Sequence, residues 1–333
     1  MKTGIFGKDF AAGADISWYP QMLKSGFVFR DKQGKEKDFF LILKDYGIDT
    51  IRLRTWVNPS DDIHSGHCSA EETLNLALKC KENGFRLMLN FHYSDSWCDP
   101  GKQRIPAAWE NLKFFNLVQR LYDYTVETMT LFKTNGISFE WVQVGNETNP
   151  GMLLPMGSTE NFEKLAILYN AGYDAVKEVS PDTISMIHLA EINQPDFIIN
   201  YFNNLSKYNC RYDMMGFSIY PYFAKMYQKQ SYNECIKAFA RGLKEIPKRF
   251  GKDIMLAETG GEDDKEEESF SLFSDLLKEI SRRPRCKGFI LWEPQGARVW
   301  SNYELSSWRK DGSPSKAMDA LLFIQRKNNR KLI

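Results

Sequence analysis

Cysteine pairs with metal or redox spacing are missing from this 333-residue chain. The six cysteines (Cys68, Cys80, Cys98, Cys210, Cys235 and Cys286) are scattered and none sits in a CxxC, which argues against a zinc ribbon or a redox dithiol. Free thiols are the expectation for a chain of this size. Histidine is also scarce. His64, His67, His92 and His188 form no HxH or HExxH pattern, so a barrel metallohydrolase has little support. The absence of GxGxxG, P-loop and GxSxG motifs removes nucleotide and serine-hydrolase readings. Charge of one sign is lacking too. A formal net charge of +1 supplies no field for nucleic acid or acidic membrane. No apolar run approaches the ~18 residues that span a bilayer. Met1–Phe10 has no apolar signal core, so the chain works in the cytoplasm or its leader has been removed. No Pro/Gly/Ser-rich linker or low-complexity tract divides the chain. One domain over 1–333, monomeric and without a cofactor, is expected.

What is present is a soluble composition, 43% hydrophobic and 26% charged, enough for a sizeable core. Aromatics reach 14%, which serves a large core, a sugar-binding cleft, or both. Eight short apolar runs alternate with longer helical stretches. The runs are Gly13–Trp18, Thr50–Val57, Arg86–Tyr93, Phe139–Glu147, Thr183–Ala190, Met214–Pro221, Asp253–Thr259 and Gly288–Pro294. Nearly continuous apolar character marks parallel strands buried on both faces. Helices are predicted over Ala70–Asn83, Asn111–Asn135, Asn161–Val179, Tyr232–Phe250, Glu267–Arg282 and Ser315–Arg326, with apolar residues at helical spacing. Asn83–Gly84 and Asn135–Gly136 supply C-cap chemistry, and Pro181 and Pro284 stop two others. Eight strand-helix pairs fit a single (β/α)₈ TIM barrel of the α/β class. A doubly wound sheet would need a Gly-rich turn after the first strand, and Ile16-Ser17-Trp18-Tyr19-Pro20 is not one.

Barrel chemistry sits at the C-terminal strand ends. Here those ends carry Asp15, Arg52 and Arg54, then His92, Ser94 and Asp95, then Asn146 and Glu147. They continue with His188, Tyr220 and Tyr222, Glu258, Trp292 and Glu293. Packing alone does not require so many charged and aromatic ends. Two glutamates, Glu147 after strand four and Glu258 after strand seven, supply what glycoside hydrolysis needs. One carboxyl protonates the leaving oxygen, and one carboxylate attacks the anomeric carbon or activates water. Asn146 is placed to meet a sugar 2-hydroxyl. Arg52 and Arg54 share one side of their strand and need carboxylates, with Glu258 or another acid as partner. An adjacent arginine is expected to keep Glu258 ionised. Tyr220 is either core or a donor to Glu258. Trp292 is either core or a sugar platform, and 293–300 reads as a cleft wall. The segment His92–Trp109, with Trp97, reads as an active-site loop. The acids of 262–268 read as a helix start in preference to a calcium site.

These residues also carry a resemblance. GADISW (13–18), IRLRTWVNP (51–59), NFHYSDSWCDPGKQ (90–103), WVQVGNETNPGMLLP (141–155), MIHLA (186–190), SIYPY (218–222), AET (257–259) and LWEP (291–294) occur in the order of glycoside hydrolase family 53. The chain resembles these endo-β-1,4-galactanases along essentially its whole length. The resemblance implies a retaining mechanism on β-1,4-galactan of pectin or type I arabinogalactan, with Glu147 as acid/base and Glu258 as nucleophile. It also implies that Asn146, His92, Tyr220 and Trp292 line the reacting bond, and that Trp292–Glu293 is a cis peptide. The chain departs from the family at Gly260-Gly261-Glu262-Asp263-Asp264 and at Phe223, where many members have tryptophan. The calcium site of some members is not carried over. Two alternatives remain at this stage: the same machinery on mannan or glucan, and a carbohydrate-binding barrel without catalysis.

Overall fold

The computed structural model describes residue 6 and residues 9–324. Eight parallel strands run through them: β1 (Ala11–Asp15), β2 (Thr50–Thr55), β3 (Arg86–Phe91), β4 (Trp141–Val144), β5 (Ile184–Leu189), β6 (Met214–Ile219), β7 (Asp253–Thr259) and β8 (Cys286–Trp292). They close into a barrel in the order β1-β8-β7-β6-β5-β4-β3-β2, with helices between strands. This is the expected (β/α)₈ architecture. The apolar runs explain it. Every residue of β2 and of β6 is buried, which an element covered on both faces requires.

All strands but β7 stop earlier than the apolar runs. β1 ends at Asp15 and β4 spans only Trp141–Val144. The polar residues beyond leave the ladder to form the loops. After β4 the backbone turns at once, with positive φ at Gly145 (89°) and Glu147 (44°). Helix limits agree with the spacing to within a few residues. They include α3 (Ala70–Glu82), α4 (Phe114–Thr134), α5 (Phe162–Val179), α8 (Tyr232–Phe250) and α9 (Glu266–Ile280). Gly84 and Gly136 adopt φ of 76° as their C-cap positions demand. Shorter helices were not predicted: α1 (Tyr19–Lys24), α2 (Phe39–Asp45), α6 (Pro195–Ser206), α7 (Pro221–Gln228) after β6, and α10 (Arg298–Ser301). The helix expected over 315–326 begins as a 3₁₀ segment, Lys316–Leu321, and residues 322–324 after it are α-helical. Ala317 and Ala320, and Met318 and Leu321, are all buried, and a three-residue repeat suits that tighter turn. Residues 325 and 326 of that expectation lie outside the described residues.

The chain forms two compact halves. One comprises the chain up to Arg52, Glu191–Pro195, and the chain from Ser218 onward. Its aromatic core stacks Tyr19 on Phe39 at 4.9 Å, with Trp308 at 5.7 Å from Phe39. The other comprises Leu53–Ala190 and Asp196–Phe217. Here Tyr169 and Tyr201 share a buried hydrogen bond of 2.8 Å, and Tyr201 donates to the Thr148 carbonyl, also at 2.8 Å. All six cysteines are free, as expected.

Gly13 shows how closely the first half packs. A Cβ at Gly13 would lie 2.3 Å from the Ile290 side chain and 2.9 Å from the Thr50 carbonyl oxygen. The second of these is backbone and cannot step aside. Gly13→Ala should therefore destabilise the fold by about 1–3 kcal/mol, read from urea unfolding. An unchanged midpoint would show that β1 and β2 can separate at no cost.

Candidate active site

In the first half, register brings the ends of β1, β2 and β8 together. Asp15 pairs with Arg52 on one side and with Trp292 on the other. Arg52 lies 2.9 Å from Asp15 Oδ2 and 2.6 Å from Glu258 Oε1. Tyr220 donates to Glu258 Oε2 at 3.4 Å. Asp15 Oδ1 accepts from the Ser17 amide (3.1 Å) and hydroxyl (2.7 Å). The partner expected for Glu258 is thus the one it has, and Arg52 serves two acids at once.

The electrostatic balance differs from the expectation. Burial pushes the Glu258 carboxyl above its ordinary value, Arg52 pulls it down, and Asp15 pushes it up again. Desolvation of the charged form wins. Asp15 and Arg52 expose no surface at all. Their ion pairs run from Asp15 through Arg52 to Glu258 and hold that carboxyl in place.

Glu293 is fully buried as well. Its carboxylate accepts from the Trp18 amide at 3.0 and 3.3 Å and from the Gln295 side-chain amide, and its own N–H donates to the Asp15 carbonyl at 3.0 Å. The residue has φ of 43°. The expected cis peptide at Trp292–Glu293 is not found. Among the described residues the cis bond is Leu154–Pro155, and the chain reverses after β8 through the left-handed Glu293 instead. Trp292 is half-buried, with Trp18 at 5.2 Å and Tyr303 at 4.8 Å edge-on to its ring. It is neither a core residue nor an isolated one. Its flanks are packed and part of the indole is open. Tyr222 donates to Glu304 at 2.6 Å. The acids after β7 are occupied by cations: Glu262 with Lys265 (2.7 Å), Asp263 with Arg298, Glu266 with Arg309 (2.5 Å), and Glu267 with Lys316 (2.5 Å). Among the described residues no group of three or more His, Cys, Asp or Glu is arranged to hold a metal ion.

In the second half, Asn146 is the centre. Its Oδ1 accepts from Asn90 (2.8 Å) and faces His188 Nδ1 (3.0 Å), and its Nδ2 donates to the Cys98 carbonyl (2.7 Å). The Oδ1 contact places the proton of His188 on Nδ1. Gln103 donates to the carbonyls of Asn146 (2.7 Å) and Glu147 (3.2 Å). It thereby pins the left-handed turn that presents Glu147, whose side chain is mostly buried. The Cys98 amide donates to His92 Nδ1 at 3.0 Å, and the Asn90 side-chain amide lies 3.1 Å from His92 Nε2. Trp97 lies over the buried Arg54, 4.3 Å from ring centre to guanidinium, a cation–π contact. Arg54 and His188 are buried like Arg52. Asp95 spends both oxygens on the loop, accepting from the Asn58 amide (3.0 Å) and the Ala107 amide (2.8 Å). The Ser94 carbonyl accepts from the Val57 amide at 2.9 Å, and Ser94 is buried.

Asn90, Gln103 and Glu293 were not singled out as site residues. Asn90 and Gln103 do stand in the NFHYSDSWCDPGKQ word, but a buried amide that serves other buried polar groups has no spacing of its own to read.

Residues 11–284 match Glycosyl hydrolase family 53. A Bacillus subtilis protein named Endo-beta-1,4-galactanase is 31% identical over 262 residues, 78% of this chain and 58% of that one. The chain thus spans little more than half the length of that relative. A Humicola insolens protein named Arabinogalactan endo-beta-1,4-galactanase is 32% identical over 252 residues, 73% of this chain and 72% of the other. A solved structure described as the Ignisphaera aggregans GH53 catalytic domain superposes with a TM-score of 0.84 at 27% identity, over 94% of this chain and 95% of that one.

Because burial raises Glu258, its protonated form favours the folded state. That contribution is complete below the ordinary carboxylate value and is lost as pH rises through the raised one. Glu258→Gln is neutral throughout and escapes the loss. The stability of Glu258→Gln relative to the parent should rise with pH across that window, measured by urea unfolding at stepped pH. A difference that stays flat or falls would mean that Arg52, not burial, dominates.

Proposed function

The chain belongs to glycosyl hydrolase family 53, and from that membership we propose that it is an endo-acting β-1,4-galactanase working by retention. The observation that carries this reading is the pairing of the family match with two glutamates, each placed by its own supporting network at a strand end. Glu258 is the nucleophile. It forms a bond to the anomeric carbon as the glycosidic bond breaks, and Glu147 gives its proton to the departing oxygen. Glu147 then takes a proton from water, whose oxygen displaces Glu258 and restores both carboxyl groups. The anomeric configuration is inverted twice and so retained.

Arg52 stabilises the carboxylate of Glu258 before attack and, through Asp15, stays oriented. Tyr220 adds a hydrogen bond to the second oxygen. Asn146 presents an amide held by three partners, suited to a sugar hydroxyl. Trp292, with flanks packed by Trp18 and Tyr303, offers an indole face to a sugar ring. Trp97 and Tyr222 extend the aromatic lining. The barrel over 1–333 is one catalytic domain, acting as a monomer. The substrate reading rests on the relatives' names, galactanases from a bacterium and a fungus.

Glu258→Gln should abolish turnover of linear β-1,4-galactan while binding persists, and Glu147→Gln should cost about 10²–10⁴-fold in rate. Proton NMR of the first product should show the β anomer. Turnover of Glu258→Gln near the parent rate would sink the nucleophile assignment, and an initial α product would sink retention. Release of reducing ends from mannan or glucan but not galactan would redirect the substrate.

A further inference from the structure

A cavity of about 630 Å³ opens between α8 and the turn that joins α9 to β8. Lys244 and Lys248 line it from the helix and Arg283 and Arg285 from the turn, with Leu243 and Pro247 between them. The volume falls in the range of small-molecule sites, roughly 300–1,000 Å³. The turn is fixed by its backbone. The Arg283 carbonyl accepts from the Cys286 amide and the Arg285 carbonyl from the Ile254 amide, both at 2.9 Å. The second bond ties the turn to the start of β7. Glu258 is the sixth residue of that strand, so its Cα lies roughly 16 Å from the first. The cavity therefore stands apart from the reacting bond.

Four cations and no acid line this wall, in a chain whose formal net charge is only +1. Lys244 and Lys248 are both exposed and stand one helical turn apart, a spacing at which like charges repel. Among the described residues neither has an ion pair. The arginines meet acids only at long range: Arg283 lies 3.9 Å from Glu279, and Arg285 lies 3.7 Å from Asp253. Each of those acids also serves a second cation, Arg282 or Lys287. The Nε of Arg283 is buried and has no acceptor, a state few buried donors adopt. Positive charge is thus left over, and one donor is left unused.

The leftover charge defines the ligand. Lys244 and Lys248 rise about 6 Å apart along the helix, which suits a ligand with more than one negative group. The guanidinium forks match planar carboxylates or phosphates. Leu243 and Pro247 ask in addition for a body with an apolar face. A compact inorganic anion has no such face. A chain of acidic sugars has both features, a carboxylate on each ring and C–H faces between them.

We propose that this cavity is a second glycan site that binds an acidic oligosaccharide, a run of uronate residues held by their carboxylates. It goes beyond the galactanase reading, which concerns a neutral chain cut at Glu258. It gives the barrel a hold on an anionic glycan at a distance from the cleft.

The test is calorimetric titration of the parent with tri-galacturonate, with neutral galactotriose and with pyrophosphate. Salt is kept at about 20 mM, where exposed charges are least screened. Tri-galacturonate should bind. Lys244→Gln/Lys248→Gln should weaken that binding about tenfold and leave galactotriose binding and galactan turnover at the parent level. Lys244→Arg/Lys248→Arg should retain it, and raising salt to about 200 mM should weaken it in the parent. Absence of tri-galacturonate binding overturns the proposal, as does binding that the glutamine pair leaves unchanged. Binding of pyrophosphate as tight as that of tri-galacturonate overturns it too, since the site would then take any compact anion. Galactan turnover reports on Glu258 separately, so its failure would strike the galactanase reading and leave the anion site standing.

Discussion

A buried run of charge, from Asp15 through Arg52 to Glu258, is the constraint on which the ends of β1, β2 and β7 depend. None of the three side chains has appreciable access to water. Taking such charges out of water is expensive, and only close geometry returns the cost. Arg52 meets that demand with two short contacts, one to each acid. Removing it would leave two buried carboxylates facing each other without a cation, a loss of about 3–5 kcal/mol by analogy with other broken buried pairs. The strand register follows the same demand. Asp15 stands beside Arg52 on one side and Trp292 on the other, so a one-residue slip would turn all three to the wrong face.

The other half uses a different device. Around Asn146 the partners are an amide from Asn90, a histidine and a backbone carbonyl, with the Gln103 side chain under the turn. A turn with φ of 44° at Glu147 is unfavourable for a residue with a Cβ and persists only where the surroundings hold it. Gln103 holds it by accepting the role of donor to two successive carbonyls. Positive φ recurs after β3 at Tyr93, after β5 at Glu191 and after β8 at Glu293. Four strand ends thus leave the ladder by a left-handed residue that is not glycine.

This explains how much was legible beforehand. The barrel can be read because strands covered on both faces are written as apolar runs, and the helices between them as periodic ones. The strand ends can be read because charged and aromatic residues interrupt those runs at Asp15, Arg52, Glu147 and Glu258. Direction is harder. Whether a polar residue at a strand end faces the opening or supports a neighbour depends on partners far away in sequence, such as Asp15 with Arg52, 37 positions apart. Arg54, His188 and Asp95 look like ligand contacts in the sequence, and in the structure each also has a partner within the protein. Gln103 and Asn90 look ordinary and are central. Glu293 reads as a strand-end acid, and only the Trp18 amide 275 positions away reveals its use.

The two devices suit two different tasks. A nucleophile must be ionised when the sugar arrives, yet burial opposes ionisation. Arg52 tempers that opposition at Glu258 without abolishing it, and a nucleophile so placed would be a stronger base toward carbon than a fully neutralised carboxylate. A cation of the same strength beside an acid/base would be a hindrance, because that group must hold a proton and release it within one turnover. Neutral amides position without fixing charge. The supports of the Glu147 turn are of that kind, a glutamine to its carbonyls and an asparagine at its shoulder. The difference in chemistry between the two supporting networks is therefore what separate roles for the two glutamates would demand.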